Sequence, residues 1–394
     1  MKELTQIILK SGKDISLFRY HPWVFSGAIK KIKGEVEEGD VVEIVNNKFE
    51  FLGLGHYQIG SIAIRVISFE KEEVNIDFWR RKIESAYNYR QSMNFIEKGT
   101  TNIYRLSHAE GDGMPGLIID VYNDTAIMQF HSIGMYLIKE DLAQIIVDTI
   151  EEVIAVYDKS EATMPKNSDI KAKDGFVIGE STAQYALENG LKFYIDWIEG
   201  QKTGFFIDQR ENRKLLGSYS KGRNVLNMFG YTGGFSVYAL QAGANLVHSV
   251  DASGKATDLT NQNVKENFPD ISNHEAFAAD AFKFMEDIKD KYDLIILDPP
   301  AFAKQRKALH NALQGYKRLN QIALEQIKPG GILFTFSCSQ VVSKDNFRKS
   351  VFAAAANAKR KVRIMHQLTQ PVDHAVSIFH PEGEYLKGLV LYVE

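Results

Sequence analysis

From about residue 220 the apolar positions gather into short unbroken runs: Val225 to Phe229, Leu246 to Val250, Leu294 to Leu297 and Ile332 to Phe336. Such runs read as strands buried on both faces of a parallel sheet. Helical periodicity fills the gaps, over Gly234 to Ala242, Lys255 to Asn267, Phe282 to Lys289 and His310 to Ile327. Strand alternating with helix predicts a doubly wound α/β domain. The first 70 residues lack helical periodicity. Val41 to Val45, Phe49 to Tyr57 and Ile62 to Phe69 read as strands punctuated by Gly39, Gly53, Gly55 and Gly60, which predicts a small β-barrel. Residues 71–190 mix the two patterns and predict a central α+β region. Ile76 to Asn94 and Tyr136 to Val153 read as helical, and Leu117 to Phe130 as strand. Glu110 to Gly116 is dense turn chemistry, read first as a tight turn, and the polar stretch Lys159 to Gly179 reads as a loop.

The length of 394 residues predicts more than one domain, here divided at 1–70, 71–190 and 191–394. No apolar stretch approaches a membrane span, and the N-terminal residues lack a signal-peptide pattern, so no membrane partner is expected. A lone cysteine, Cys338, excludes an internal disulfide framework and fits a reducing, cytoplasmic compartment. The ten histidines show no metal-ligand spacing, so no metal is expected. The formal net charge is −3, but its distribution is uneven. No acid lies between Asp298 and Glu325, where Lys304, Arg306, Lys307, Lys317 and Arg318 fall. A second acid-free stretch between Asp345 and Asp373 carries Arg348, Lys349, Lys359, Arg360, Lys361 and Arg363. A solvated helix face accounts for any one charge run. Two runs, each following a strand of the prospective site, favour an anionic polymer as partner.

Consecutive parallel strands end on one edge of the sheet, where ligands bind. The first strand runs into Asn227-Met228-Phe229-Gly230-Tyr231-Thr232-Gly233-Gly234 and then a helix. Glycines there let the backbone approach a ligand at a helix N-terminus, but the spacing is not the G-x-G-x-x-G of a dinucleotide site. Asp251, followed by Ala252 and Ser253, ends the second strand, placed to accept the hydroxyls of an adenosine ribose. Asp280, followed by Ala281, closes the segment His274 to Ala279, where a carboxylate could accept from an adenine amino group. Asp298-Pro299-Pro300 closes the next strand. Each acid alone is equally compatible with a helix N-cap. Their order, without a pyrophosphate loop, favours S-adenosylmethionine over a dinucleotide. Cys338 then delivers a thiol to the edge that carries Asp298. Its plainer reading is an inert buried cysteine.

Phe229 to Phe235, Asp298-Pro299-Pro300-Ala301-Phe302, Gly315-Tyr316-Lys317 with Asn320, and Phe336-Ser337-Cys338-Ser339 together resemble the class I S-adenosylmethionine-dependent rRNA methyltransferases. Among them the likeness is to the large-subunit methyltransferase I family, which makes 5-methylcytosine in 23S rRNA. His21 to Gly27, the Glu110 to Gly116 turn and Gly200 to Arg210 carry the likeness over nearly the whole chain. The resemblance implies a PUA barrel at the N-terminus, a central domain that helps form an RNA cleft, and a Rossmann-like methyltransferase domain. It implies that Thr203, Gly204, Phe206, Gln209 and Arg210 line the cofactor pocket with Phe229, Gly230, Tyr231, Thr232 and Gly233. A homodimer acting on 23S rRNA, free or in an assembly intermediate, is implied as well. One departure is Ala375 in Asp373-His374-Ala375, where relatives often carry proline.

Cytosine carbon 5 is too weak a nucleophile to take a methyl group directly, so addition of a thiolate to carbon 6 gives Cys338 a purpose. Asp298 is the candidate for protonating or hydrogen-bonding ring nitrogen 3. The basic stretches are candidates for assisting thiol ionisation. Methylation of a guanine nitrogen is the rival chemistry, because an Asp-Pro-Pro strand end also suits amine acceptors. A non-catalytic RNA-binding factor with a vestigial cofactor fold is the rival of another class.

Overall fold

The structure, a computed structural model, describes residues 4–96, 99–166, 168–303 and 305–394. The chain divides into two compact units. The first comprises Met1–Gly190, Ile195–Phe205 and Val372–Gly383; the second comprises Leu191–Tyr194, Phe206–Pro371 and Glu384–Glu394. No helix among the described residues is long and apolar enough to cross a membrane.

The first unit opens with β1 (Gln6–Leu9), a short helix α1 (Ile15–Phe18), β2 (Trp23–Phe25), β3 (Ile29–Lys33), β4 (Val41–Val45), β5 (Phe51–Tyr57) and β6 (Ile62–Ser68). They form one six-stranded sheet in the order β2-β6-β5-β4-β1-β3, with Ile7, Leu9, Val42, Ile44, Ile64 and Val66 in its core. The sequence reading found β4, β5 and β6. It passed over β1, β2 and β3, which are short, and the last of which reads Ile-Lys-Lys-Ile-Lys. That composition belongs to an edge strand, where lysines discourage pairing with another chain.

Next come α2 (Ile76–Ser92), β7 (Ile103–His108), β8 (Leu117–Tyr122), β9 (Thr125–Phe130), α3 (Ile133–Tyr136), α4 (Lys139–Thr149), β10 (Ala155–Asp158), β11 (Gly175–Ile178) and β12 (Tyr185–Glu188). Strands β11-β10-β9-β8-β7 make a five-stranded sheet. The single run Leu117 to Phe130 is in fact a hairpin, turned at Asn123 with φ 56°. Asparagine tolerates that left-handed conformation better than most residues. Strand β11 lies inside the stretch expected to be loop. Its four residues pair antiparallel with β10 at the sheet edge, too short a run to stand out from its polar flanks.

The Glu110 to Gly116 turn is tight, as read, and also carries charge into a buried network. Arg90, fully buried in α2, pairs with Asp112 and donates to the Asp373 carbonyl at 2.5 Å and the Arg105 carbonyl at 2.7 Å. Arg105 holds both oxygens of the buried Asp120, at 2.7 and 2.8 Å, and its amide donates to the Asp373 carboxylate. Removing one partner of such a network leaves an uncompensated buried charge.

His56 of β5 stacks on Trp79 of α2 and lies so close to Gly134 of α3 that a Cβ there would approach its ring at 2.2 Å. Burial holds its pKa down at about 4. The unfolded chain therefore takes up a proton that the folded one refuses as pH falls from 6.5 through 4, and stability drains across that window. The deficit for His56 at the acid end is about 3 kcal/mol. The half-buried His274 in the second unit, also lowered to about 4 by burial, adds to it. Thermal melting between pH 7 and 4.5 should show the loss, and His56→Phe should flatten the curve. An unchanged slope in that variant would show that His56 is not the sensitive group.

The second unit contains β13 (Leu191–Tyr194), α5 (Arg210–Ser220), β14 (Asn224–Met228), α6 (Gly234–Gln241), β15 (Leu246–Asp251), α7 (Gly254–Asn267), β16 (His274–Ala278), α8 (Ala281–Met285), β17 (Leu294–Leu297), α9 (Leu309–Gln326), β18 (Gly331–Ser337), α10 (Lys344–Asn357), β19 (Val362–Leu368) and β20 (Lys387–Val393). Its seven-stranded sheet runs β16-β15-β14-β17-β18-β20-β19. The first five strands are parallel, and the order reverses beside β14, the switch point at which open α/β sheets bind ligands. Strand β20 enters antiparallel between β18 and β19. The helix expected over Phe282 to Lys289 is the single short turn α8, ending four residues early.

Candidate active site

The loop from β14 to α6 is held in a shape few residues adopt. Phe229, Tyr231 and Gly233 have φ of 60°, 46° and 77°. A Cβ on Gly233 would come within 2.6 Å of Thr260 Cγ2, so glycine is required for both conformation and space. Asp251, at the end of β15, fixes this loop. One carboxylate oxygen accepts from the Tyr231 amide at 3.0 Å and the other from the Ser253 amide at 2.9 Å. Each oxygen retains a second lone pair for a ligand hydroxyl. Ser253 caps α7 by accepting from the Ala256 amide, with exposed Ala252 before it. Asp280 caps α8, accepting from the Lys283 amide at 3.0 Å, and buried Ala281 opens that helix. The ring of Phe206 meets that of Tyr231 edge-on at 5.0 Å, while Thr232 is buried beside Gly230 and Gly233.

Asp298 and Cys338 follow the neighbouring parallel strands β17 and β18 and so reach the same edge. Gln209 donates to the Asp298 carboxylate at 3.0 Å and is itself oriented by Asn212 at 2.6 Å. Cys338 is half-buried between two anchored serines. Ser337 donates to the Tyr316 hydroxyl at 2.9 Å, and Ser339 donates to the Ala303 carbonyl at 2.6 Å. The thiol lines a cavity of about 240 Å³ with Ala301, Ala303, Gln340 and Tyr385. Burial, reinforced by the neighbouring Cys338 and Asp298, pushes the Tyr316 hydroxyl up to about 12. Tyr316 therefore stays neutral, its ring tilted against that of Phe302 at 4.6 Å.

Residues 171–375 match the S-adenosylmethionine-dependent methyltransferase family, and residues 7–69 match a PUA-like domain. The chain is 39% identical over 392 residues to the ribosomal RNA large subunit methyltransferase I of Aeromonas salmonicida, covering 98% of each protein. It is 40% identical over 395 residues to the protein of that name from Shewanella amazonensis, covering 98% of this chain and 99% of the other. The chain belongs to the ribosomal RNA large subunit methyltransferase I family. Its fold matches a structure described as a candidate SAM-dependent methyltransferase from Streptococcus mutans, at a TM-score of 0.83 and 23% identity, over 98% of this chain and 100% of that one.

In this methyltransferase the loop and acids fit the cofactor of its family. The glycine-tight turn leaves backbone room at the sheet edge, and Asp251 holds spare acceptor capacity beside it. Arg210, 1% exposed at the start of α5, supplies a cation in the same unit. Thr203 and Gly204 belong to the first unit. There the Thr203 hydroxyl donates to Asp120 at 2.6 Å and shares a hydrogen bond with Tyr122 at 2.9 Å.

Of the basic residues, Arg306 and Lys307 stand exposed in a single turn, and exposed Arg318 lies over the Phe282 ring at 5.2 Å. Lys317 is half-buried. Lys304 lies outside the described residues. Half of the second basic stretch serves the fold, while Arg348, Lys359 and Lys361 stand exposed. Arg360 binds the Leu324 and Ile327 carbonyls at the end of α9, and Arg363 and Lys349 pair with Glu394 and Asp345. The sequence reading missed Tyr385, whose hydroxyl donates to Asp208 at 2.7 Å, and Lys387 at the head of β20. A lysine opening an otherwise apolar strand was the available signal.

Proposed function

We propose that this methyltransferase acts on ring carbon 5 of a cytosine in large-subunit ribosomal RNA, through a transient bond to Cys338. The observation that carries the reading is the thiol itself, the chain's one cysteine, lining a cavity at the sheet edge next to Asp298. The ribosomal substrate follows from the relatives' names. Addition of the Cys338 thiolate to carbon 6 breaks the ring's 5,6 double bond and moves electron density onto carbon 5, while Asp298, carrying a proton, stabilises the charge growing at nitrogen 3. When bound, S-adenosylmethionine supplies an electrophilic methyl group for that carbon. The loop Phe229 to Gly233 and Asp251, Asp280 and Arg210 would hold it. Loss of the carbon 5 proton then re-forms the double bond and expels the thiolate. With no second cysteine in the chain, that proton leaves to a base other than a thiol. Arg306, Lys307, Lys317 and Arg318 are assigned to the RNA backbone.

Bisulfite sequencing of large-subunit rRNA tests this. A strain lacking the gene should have one cytosine newly converted, protected again by the wild-type gene and not by Asp298→Ala. If every protected cytosine persists and a guanine methyl is lost instead, the reading is wrong.

A further inference from the structure

Strand β20 places Lys387 opposite Ser337 in its ladder with β18, one residue from the cysteine. The lysine is 7% exposed, and its ammonium donates to the Ser339 carbonyl at 2.6 Å. It spans the position of Cys338 from the neighbouring strand, anchored on the residue that follows the thiol. No carboxylate among the described residues pairs with it. The charged groups around it are Cys338, Lys344 and Glu384, and the last two pair with one another at 2.7 Å on the surface. An ammonium out of water with only a carbonyl dipole for company is costly unless an anion joins it.

We propose that Lys387 is the positioning residue that keeps Cys338 ionised, its buried ammonium serving as the counter-charge of the thiolate while its bond to Ser339 fixes the loop that carries the sulfur. This rests on the covalent reading above and adds the group that makes the thiol reactive. It also moves that role away from the acid-free basic stretches, whose cations are exposed or engaged elsewhere. Burial, opposed in part by Cys338, brings Lys387 down to about 8. The two charges favour each other, so the pair titrates as a unit. Because the lysine binds its proton less tightly when folded, the ammonium weakens the fold at neutral pH, and that cost disappears as pH rises from about 8 towards 10.5.

The lone cysteine makes the test direct, since iodoacetamide alkylation of the folded protein reports one thiol. Lys387→Met should raise the pH midpoint of alkylation by about one unit or more, and lower methyl transfer at pH 7 about tenfold, with recovery at higher pH. Lys387→Arg should keep the wild-type midpoint, and the melting temperature of Lys387→Met should hold or rise. A midpoint unmoved in a folded Lys387→Met or Lys387→Gln protein overturns the inference. Cys338→Ala separates the two ideas. If that variant still methylates, the covalent reading fails while the alkylation shift still reports the thiol–ammonium pair. If it is inactive and the Lys387→Met midpoint does not move, only the inference about Lys387 fails.

Discussion

Cys338→Ala is expected to lower methyl transfer to large-subunit rRNA by about 10⁴-fold or more, the scale on which a covalent nucleophile contributes. The substitution removes one sulfur from a half-buried position whose neighbours are held independently, Ser337 by Tyr316 and Ser339 by Ala303 and Lys387. The fold should therefore survive, and cofactor affinity should stay within about twofold, since Asp251 and its loop are anchored by their own hydrogen bonds. Single-turnover assays with labelled methyl donor, run beside calorimetric titration of S-adenosylmethionine, separate the two quantities. Retained turnover would exclude a covalent adduct and return the site to amine methylation.

Asp251→Ala should produce the opposite split. Its carboxylate ties the amides of Tyr231 and Ser253, so its loss frees a loop that runs through three left-handed residues and also removes the proposed ribose acceptor. Hydrogen bonds to a charged group contribute roughly 1.5–3 kcal/mol each. Cofactor dissociation should accordingly rise about 100-fold, with part of the loss recovered in Asp251→Glu. Alkylation of Cys338 should be unaffected. An affinity within about threefold of wild type would remove Asp251 from the cofactor site.

The sheet of the second unit was legible because strands buried on both faces leave unbroken apolar runs, as in β14, β15, β17 and β18. The glycine turn proposed for the cofactor was legible as a tight loop because its glycines and following acids are local in sequence. The insertion of β20 between β18 and β19 was not, since nothing in Lys387–Val393 says which strands it will separate. Strands β2, β3 and β11 escaped because edges need little burial, and β1 because its four residues are too few to stand out. Charge runs misled in part: Arg360 and Arg363 look like an anion-binding stretch until the helix end and C-terminal residue they hold are in view. Lys387 offered only the signal of a lysine opening an apolar strand, because its meaning lies in a neighbour 49 positions earlier in the chain.

Asp373 has a consequence for how the polypeptide matures. Arg90 and Arg105 of the first unit are seated partly by Asp373, which the ribosome delivers only after residues 206–371 of the second unit have been made. Synthesis at roughly 5–20 residues per second leaves the nascent first unit waiting many seconds without the Asp373 acceptors of the Arg90 guanidinium and the Arg105 amide. It cannot finish folding co-translationally, and a fragment ending at Gly190 should emerge as a loosened, protease-sensitive species.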